Sequence, residues 1–354
     1  MISIRKSIGA DELKEIETKH WQWFKENKLK NLINRIKLDE KLLRVFFTDK
    51  NEFNTWYDKN SCESTQMWLN RQSKDKLERF RPFIIGNKSE MKNLINKLGV
   101  MLKLKKDELK ANPNGNSVHK YLEGIYSDFR SENEGWSGTQ LIKDLGIRVC
   151  SYCNRSFIDI YKVDRNKKIK SNSQLDHYYS KDKYPYLALN LYNLIPSCSS
   201  CNFIKLNRDD EVVYPYEEEF GDDGVFVATH YDSEDVDKEK YDIEYLYGRS
   251  DNFKIKIDIN YDSELRDAIR SSVEVFKIED LYNNHKEHVK ELMLKSIMYG
   301  PEMINELYSQ YGSLFSSKDD LIQTIFSVYI DERRLGERPL AKLNSDLLRC
   351  SLVK

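Results

Sequence analysis

The sequence predicts an α+β fold that is mainly α-helical, with a small unit of two strands and a helix between two helical regions. Three observations support this prediction. Apolar residues recur at helical spacing from Asp11 to about Arg130, β-branched and aromatic residues dominate Arg155 to Val163, and four cysteines form two Cys-x-x-Cys pairs. The expected domains are a helical region over 1–145, the compact unit over 146–216, and a region over 217–354 that combines an acidic segment, a strand and helices.

The composition is that of a folded protein. The chain has 354 residues, of which 40% are hydrophobic and 12% aromatic, with only 14 Gly and 7 Pro. These values exclude intrinsic disorder and fibrous repeats as overall descriptions, and the length favours two or three domains. The first twenty residues contain no apolar signal core, and no run of about eighteen apolar residues occurs. The sequence therefore predicts a cytoplasmic protein with no membrane partner.

Charge is distributed unevenly along the chain, although the total is only -1. The net charge is +8 over 1–149 and +3 over 150–216, but -9 over 217–249 and -3 over the remainder. The basic charge thus lies in the two N-terminal regions, where it could form a face that meets phosphate. A solvated surface explains a charge run more often than a binding site does, so charge alone identifies no partner.

Capping and turn residues indicate the helix ends of the N-terminal region. Ser89 is expected to cap a helix that runs to Leu98, and turn residues at 112–115 are expected to end the next helix. Helices are also expected over Ser117–Phe129 and over Thr139–Leu145, the second ended by Gly146. The apolar positions of the first helix fall at steps of three and four residues and are Leu13, Ile16, His20, Trp21 and Phe24.

Strand patterns appear in the middle and again in the C-terminal region. The run Arg155–Val163, a turn at 164–166 and a return over 168–175 predict a hairpin, and a helix is expected from Ser199. The acidic segment over 217–249 is expected to be an exposed loop region. Alternation over Phe253–Ile259 predicts one more strand. Helices follow from about 263, with Pro301 in a first turn and Ser317 as a cap.

The four paired cysteines predict a structural zinc site. They are Cys150, Cys153, Cys198 and Cys201, with 44 residues between the two pairs. Two residues between ligands allow one turn to present both sulfurs, and four thiolates are a common ligand set for tetrahedral zinc. Redox pairs or buried free thiols are the alternatives. Such a site has no open coordination position, so the zinc would stabilise the unit and take no part in a reaction. Cys62 and Cys350 stand alone and are expected to be buried.

The segment between and after the cysteine pairs carries a set of motifs that resembles the HNH, or ββα-metal, endonuclease family. The matching motifs, in order, are the first Cys-x-x-Cys, Leu175-Asp176-His177, Asn193-Leu194-Ile195-Pro196, the second Cys-x-x-Cys, and Asn202-x-x-Lys205. The resemblance covers about 70 residues. The sequence differs from the family's name at its third letter, which is Asn202 here instead of His.

The resemblance implies a role for each matching residue. Asp176 and Asn202 would hold a catalytic Mg²⁺ or Mn²⁺, which suits their oxygen donors. His177 would be the general base, since its ordinary pKa lies near 6.5. Asn193 would hold the loop after His177 through backbone hydrogen bonds. Lys205 and Arg208, which follow on the same helix, would contact phosphate. Neighbouring strand residues point to opposite sides, so Asp176 and His177 can share a site only if the strand ends or bends there.

The function implied is metal-dependent hydrolysis of phosphodiester bonds, with DNA as substrate and RNA as the alternative. The wider layout resembles the HNH proteins of bacterial anti-phage systems, in particular the Septu and retron-associated nucleases, which work with a separate ATPase. Two other hypotheses come from different classes. One is a zinc-dependent nucleic-acid binding module that does not cleave, and the other is a protein-interaction subunit in which the zinc unit is only a scaffold.

Overall fold

The computed structural model describes residues 1–36, 39–57, 74–102, 117–131, 135–163, 169–208, 210–230 and 243–352. The predicted turns at 112–115 and 164–166 lie outside these residues, as does Cys62, and the side chain of Cys350 is not described either. Within the described ranges no helix is both long and apolar enough to cross a lipid bilayer.

The fold is mainly helical with small antiparallel sheets, which confirms the predicted α+β class. In the described part of 1–145 every regular element is a helix. The α-helices are α1 Ile4–Ile8, α2 Ala10–Asn27, α3 Leu29–Ile36, α4 Glu40–Phe46, α5 Lys50–Trp56, α6 Lys74–Glu78, α7 Arg81–Ile85, α8 Lys88–Leu98, α9 Ser117–Ser131, α10 Gly138–Leu145, α11 Ser199–Lys205, α12 Arg266–Val275, α13 Ile278–Tyr282, α14 Lys286–Met298, α15 Pro301–Tyr311, α16 Lys318–Phe326 and α17 Ala341–Leu352.

The described strands form three separate two-stranded antiparallel sheets. They are β1 Ile160–Lys162, β2 Ile169–Ser171, β3 Gln174–His177, β4 Leu194–Ser197, β5 Gly224–Thr229 and β6 Lys254–Ile259. β1 pairs with β2, β3 with β4, and β5 with β6. In the second sheet His177 lies opposite Leu194, so the two ends of the long β3–β4 connection are held together. α11 follows β4 almost at once, which gives a hairpin followed by a helix.

Most helix predictions are confirmed, and the exceptions have local causes. α2 buries all five predicted apolar positions, and α9 and α10 occupy the predicted ranges. Gly146 ends α10 in the left-handed conformation at φ 65°, which glycine adopts at little cost. The cap of α8 is Asn87 and not Ser89, because Asn87 and Glu90 form a reciprocal capping box. Ser317 caps α16 as expected.

The strand predictions were less complete. The predicted return strand is divided at 172–173 into β2 and β3, and these two strands pair with different partners. β4 was not expected as a strand. β5 lies inside the acidic segment, where only an exposed loop was expected, and it pairs with the correctly predicted strand β6. The segment Gly224–Thr229 has strand-forming residues, but it is short and lies within a stretch whose many acidic residues favour an exposed loop.

The compact middle unit is enclosed by both helical regions. From the N-terminal side, the backbone amide of Ile2 donates to the Ser151 carbonyl at 3.3 Å. From the C-terminal side, the backbone amide of Leu340 donates to the Asn154 carbonyl at 2.7 Å. The buried apolar residues of all three regions form one continuous core. The chain segments that carry the predicted site are therefore fixed from two sides.

Candidate metal centre and the Asp176–His177 strand

The four cysteines of the two pairs come together as predicted, and we refer to them as the cysteine cluster. Their four Sγ atoms lie within 4.8 Å of one another, and all four residues are buried. Cys198 is the N-cap of α11, and its sulfur accepts a hydrogen bond from the Cys201 backbone amide at 3.4 Å. The Cys153 sulfur accepts a similar bond from the amide of Arg155 at 3.4 Å. Each pair is thus presented by a turn whose amides point at sulfur.

The cysteine cluster fits a tetrahedral metal ion such as zinc. A zinc–sulfur distance of about 2.3 Å requires sulfurs about 3.8 Å apart, and Cys153 and Cys198 have Sγ atoms 4.0 Å apart. Burial raises the pKa of the Cys150 thiol well above its ordinary value. Several thiolates could not be kept charged in this interior without a cation, so the chemistry of the donors favours a bound metal. The cluster joins the segment before β1 to the first turn of α11.

Asp176 lies in the interior and already has a cationic partner. Its side chain is nearly fully buried, with the residue 4% exposed, and its Oδ2 accepts a hydrogen bond from the Tyr152 hydroxyl at 2.6 Å. The Lys205 ammonium lies 3.1 Å from the same oxygen. Burial raises the pKa of Asp176, and the Lys205 charge and the Tyr152 hydroxyl act in the opposite direction. The Asp176 carboxylate is thus paired with the Lys205 ammonium and not with a metal ion in this arrangement.

The position of Lys205 follows from the geometry of α11. Lys205 is four residues after Cys201, so it lies on the helix face that carries the buried sulfur. Its residue is 2% exposed, and its ammonium also donates to the His177 carbonyl at 2.6 Å. In this arrangement Lys205 is directed inward and is not on a surface that a phosphate could reach. Arg208, beyond the end of α11, is exposed.

His177 is buried on the other side of the strand end. β3 ends at His177, as a shared site with Asp176 requires, but the two side chains have different neighbours. The His177 Nε2 lies 3.0 Å from the Ala188 carbonyl, and its ring meets Tyr126 of α9 edge to face at 4.5 Å. A carbonyl can only accept, so Nε2 carries the proton and Nδ1 has the free lone pair. Burial lowers the pKa of His177 to about 3, so the imidazole is neutral at ordinary pH.

Asn193 has the backbone hydrogen bonds that the resemblance implies. It is fully buried, and its Oδ1 accepts from the backbone amide of Tyr179 at 2.7 Å. Its Nδ2 donates to the carbonyls of Tyr179 and Leu187, each at 3.0 Å. The side chain therefore joins the start of the β3–β4 connection, two residues after His177, to its later part.

Replacing Asn193 with Ala is expected to destabilise the protein by about 3 kcal/mol, because one buried and two partly buried backbone groups lose their partners. Urea unfolding of wild type and variant measures the difference in the free energy of unfolding. Asn172→Ala is a suitable control, since Asn172 is exposed and, among the residues that the structure describes, its side chain pairs only with residue 159. Equal destabilisation by the two substitutions would contradict this role of Asn193.

Asn202 lies on α11 directly after the last cysteine and is partly exposed. Within the described part of the chain, its side-chain amide has no hydrogen-bond partner. Its own backbone amide continues the helix by donating to the Cys198 carbonyl at 3.1 Å. The amide group is thus available to a ligand, unlike the Asp176 carboxylate.

Two aromatic residues of the site were not found by sequence reasoning. Tyr152 binds the Asp176 carboxylate from between the first two cysteines, and Tyr126 contacts His177 from a distant helix. Tyr126 carries no local signal, because only the packing of α9 on β3 brings it to the site. Tyr152 carried a weak local signal, since a residue between two metal-binding cysteines must lie close to the elements that the metal would join.

His20 is a buried histidine for which the sequence predicts no partner. Its Nε2 donates to the Leu189 carbonyl at 2.8 Å, and its Nδ1 accepts from the Trp136 indole at 2.9 Å. A second ring proton would therefore face the indole N–H. Burial lowers the pKa of His20 from 6.5 to about 4. His20 thus has a structural role: it ties α2 to the β3–β4 connection in the neutral form only.

The lowered pKa of His20 predicts a loss of stability in mild acid. The unfolded chain takes up the proton near pH 6.5 and the folded chain only near pH 4, so stability falls as pH decreases through that interval. The full cost is about 3 kcal/mol. Urea unfolding at a series of pH values should show a shallower decrease for His20→Gln than for wild type. Parallel profiles for the two proteins would contradict the assignment.

Comparison of the chain with protein-family models, with curated proteins and with solved structures found no match.

Proposed function

We propose that the protein is a metal-dependent endonuclease of the HNH type, with its active site at the end of β3. The observation that carries this proposal is the joint placement of the Asp176–His177 strand end, the Asn193 hydrogen bonds and the cysteine cluster in one hairpin followed by a helix. One motif set predicts all three, and a merely structural zinc unit has no need for a buried Asp-His dipeptide in this hairpin.

The proposed reaction is hydrolysis of a phosphodiester bond by water. In an opened site His177 would take the proton from water at Nδ1, because the pKa of about 3 that burial gives it makes the imidazole a weak base while it is enclosed. The Ala188 carbonyl would hold the ring through Nε2. Asp176 and the Asn202 amide would hold Mg²⁺ or Mn²⁺, which neutralises charge on the phosphate and the leaving oxygen. Asn193 would act as a positioning residue, because it fixes the backbone that follows the base.

The proposed cation site requires one change from the arrangement described above. The Lys205 ammonium lies 3.1 Å from Asp176 Oδ2, and a divalent cation at that oxygen would have to displace it. Loss of this pair would leave a lysine near the site, where it could meet a phosphate of the substrate. The site would also have to open, since Asp176 and His177 are 4% and 7% exposed.

A second function is favoured by the same ion pair. If Lys205 stays on Asp176, the two form a neutral buried pair that replaces the metal, and the unit is then a zinc-stabilised binding module that does not cleave. The partners proposed for both functions are DNA, or RNA, and the resemblance adds a separate ATPase that would control cleavage.

A nicking assay on supercoiled DNA tests the proposed function. Wild-type protein is incubated with Mg²⁺ or Mn²⁺, with and without a candidate ATPase, and Asp176→Asn is the comparison. Nicking by wild type that requires the added cation and is lost in Asp176→Asn supports the nuclease. Binding of DNA with no nicking under any of these conditions supports the second function, and neither binding nor nicking contradicts both.

A further inference from the structure

A second feature of the structure, outside the residues assigned above, is a pocket on the N-terminal side of β3. It has a volume of about 300 Å³ and lies between the end of α9, the start of α10 and strands β2 and β3. This is about ten times the volume that one water occupies in the liquid, about 30 Å³, so the pocket has room for a phosphate group with some of its water.

The lining of the pocket combines positive charge with hydroxyl groups. Arg130 and Lys170 contribute the charge, and Thr139, Ser171 and Ser173 contribute hydroxyls. Among the described residues that line the pocket, none is acidic. Arginine, lysine, serine and threonine are the side chains that most often contact phosphate oxygens in nucleic-acid complexes. A larger cleft of about 770 Å³ elsewhere has five acidic and three basic residues in its lining and is unsuited to phosphate.

The two serines leave a hydrogen-bond donor for a ligand. Their hydroxyl oxygens lie 2.8 Å apart, and Ser171 Oγ also accepts from the backbone amide of Ser173 at 3.1 Å. One hydroxyl proton is used between the two oxygens, so the other proton remains to be donated. Ser173 is buried, with 5% of its surface exposed, which fixes this donor at the pocket wall.

The pocket lies on the same side of β3 as His177. Alternate residues of a strand share a face, so Ser173, Leu175 and His177 form one row about 13 Å long. α9 runs beside this row. Its Tyr126 contacts the His177 ring and donates to the Leu175 carbonyl at 3.1 Å, and Arg130 follows one turn later on the same helix. Tyr126 thus covers the row, whose residues are buried, and the pocket lies at the far end of this row from the proposed base.

The surface beside the pocket fits an extended ligand better than a free anion. Tyr161 of β1 lies directly opposite Lys170 of β2, and it is 50% exposed. Cross-strand neighbours share one face, so an aromatic ring and a cation lie side by side next to the pocket. Aromatic rings that accompany basic residues are typical of surfaces that bind nucleic-acid strands.

We propose that this pocket binds a backbone phosphate of DNA, at a point about 13 Å along β3 from His177. Arg130 and Lys170 would pair with the phosphate charge, and Thr139 with one serine hydroxyl would donate hydrogen bonds to its oxygens. This inference rests on the proposed function for its choice of DNA, but it concerns binding and not cleavage.

Fluorescence anisotropy with a labelled DNA duplex of about 20 base pairs tests the proposal, in buffer without added divalent cation and from about 50 to about 200 mM salt. The double variant Arg130→Gln with Lys170→Gln is expected to bind on the order of tenfold more weakly and to lower the slope of log affinity against log salt by about 1, since one phosphate contact is lost. Lys143→Gln is the matched control, because Lys143 is exposed at the opposite end of α10.

A second variant tests the pocket without replacing Arg130 or Lys170. Thr139→Glu places a carboxylate in the pocket, yet an acid in the first turn of α10 should stabilise that helix. We expect it to keep the thermal stability of wild type and to weaken DNA binding at least as much as the double variant.

The outcomes separate this inference from the nuclease proposal. Wild-type binding that is unchanged in both pocket variants overturns the pocket assignment, whether or not Mn²⁺ allows nicking. Binding that is weakened in both variants but not in Lys143→Gln supports the pocket, even if no nicking occurs. A wild type that binds no DNA at all overturns the pocket assignment and contradicts both proposed functions.

Discussion

His177→Ala is expected to reduce the rate of metal-dependent nicking by about 10² to 10⁴-fold, which is the usual contribution of a general base. The reason is that the Nδ1 lone pair of His177 is the only proton acceptor that we assign to water activation. Binding of DNA should be nearly unchanged, because the phosphate contacts proposed above come from other residues. Initial rates of nicking and anisotropy titrations on the same preparations measure the two quantities.

Two further variants show whether the loss is chemical or structural. His177→Gln can still donate to the Ala188 carbonyl, as the imidazole Nε2 does now, but it cannot take a proton from water. We expect it to be as inactive as His177→Ala while unfolding at a temperature closer to that of wild type. His285→Ala, a substitution in the C-terminal region, should nick at the wild-type rate. Full activity in His177→Gln would contradict the assignment of His177 as the base.

Cys198→Ser is expected to release the structural metal and to destabilise the protein by about 5 kcal/mol, which lowers Tm by about 7 °C. Cys198 has two roles, since its sulfur completes the cysteine cluster and also caps α11. Without the metal the remaining buried thiols must be protonated, and α11 is no longer joined to the turn before β1. Metal analysis of the purified protein and thermal unfolding measure the two effects.

Ser200→Ala is the control for this substitution, because Ser200 is exposed within the same turn. It should retain one zinc per chain and the wild-type Tm. Retention of a full complement of zinc by Cys198→Ser would show that the cysteine cluster is not the metal site. Loss of zinc with no change in Tm would show instead that the metal does not support the fold.

The parts of the site that the sequence predicted are those fixed by short-range spacing. Two residues between cysteines determine the turn that presents both sulfurs of one pair. Since four thiolates suit a single zinc ion, the meeting of the two pairs could be predicted. The same is true of α10 and its end at Gly146, where a left-handed residue is needed. The backbone hydrogen bonds of Asn193 were anticipated only through the resemblance, because no local pattern predicts its partners.

The parts that were missed depend on contacts between distant segments. The Asp176–Lys205 pair joins β3 to α11, and it forms because α11 turns the Lys205 face inward with Cys201. That spacing was visible in the sequence, but a lysine is usually taken as solvated. β4 was missed because the strand has only 4 residues and contains Pro196, and proline is uncommon within a sheet. Its pairing with β3 places Leu194 opposite His177.

Binding of Mn²⁺ to the zinc-loaded protein, followed by electron paramagnetic resonance, tests the central claim most directly. The claim is that Asp176 and Asn202 hold a divalent cation after Lys205 leaves the carboxylate. We predict one bound Mn²⁺ per chain in wild type and affinity weakened on the order of tenfold or more in Asp176→Asn. Wild type that binds no Mn²⁺, or Asp176→Asn that binds it as tightly as wild type, would contradict the claim.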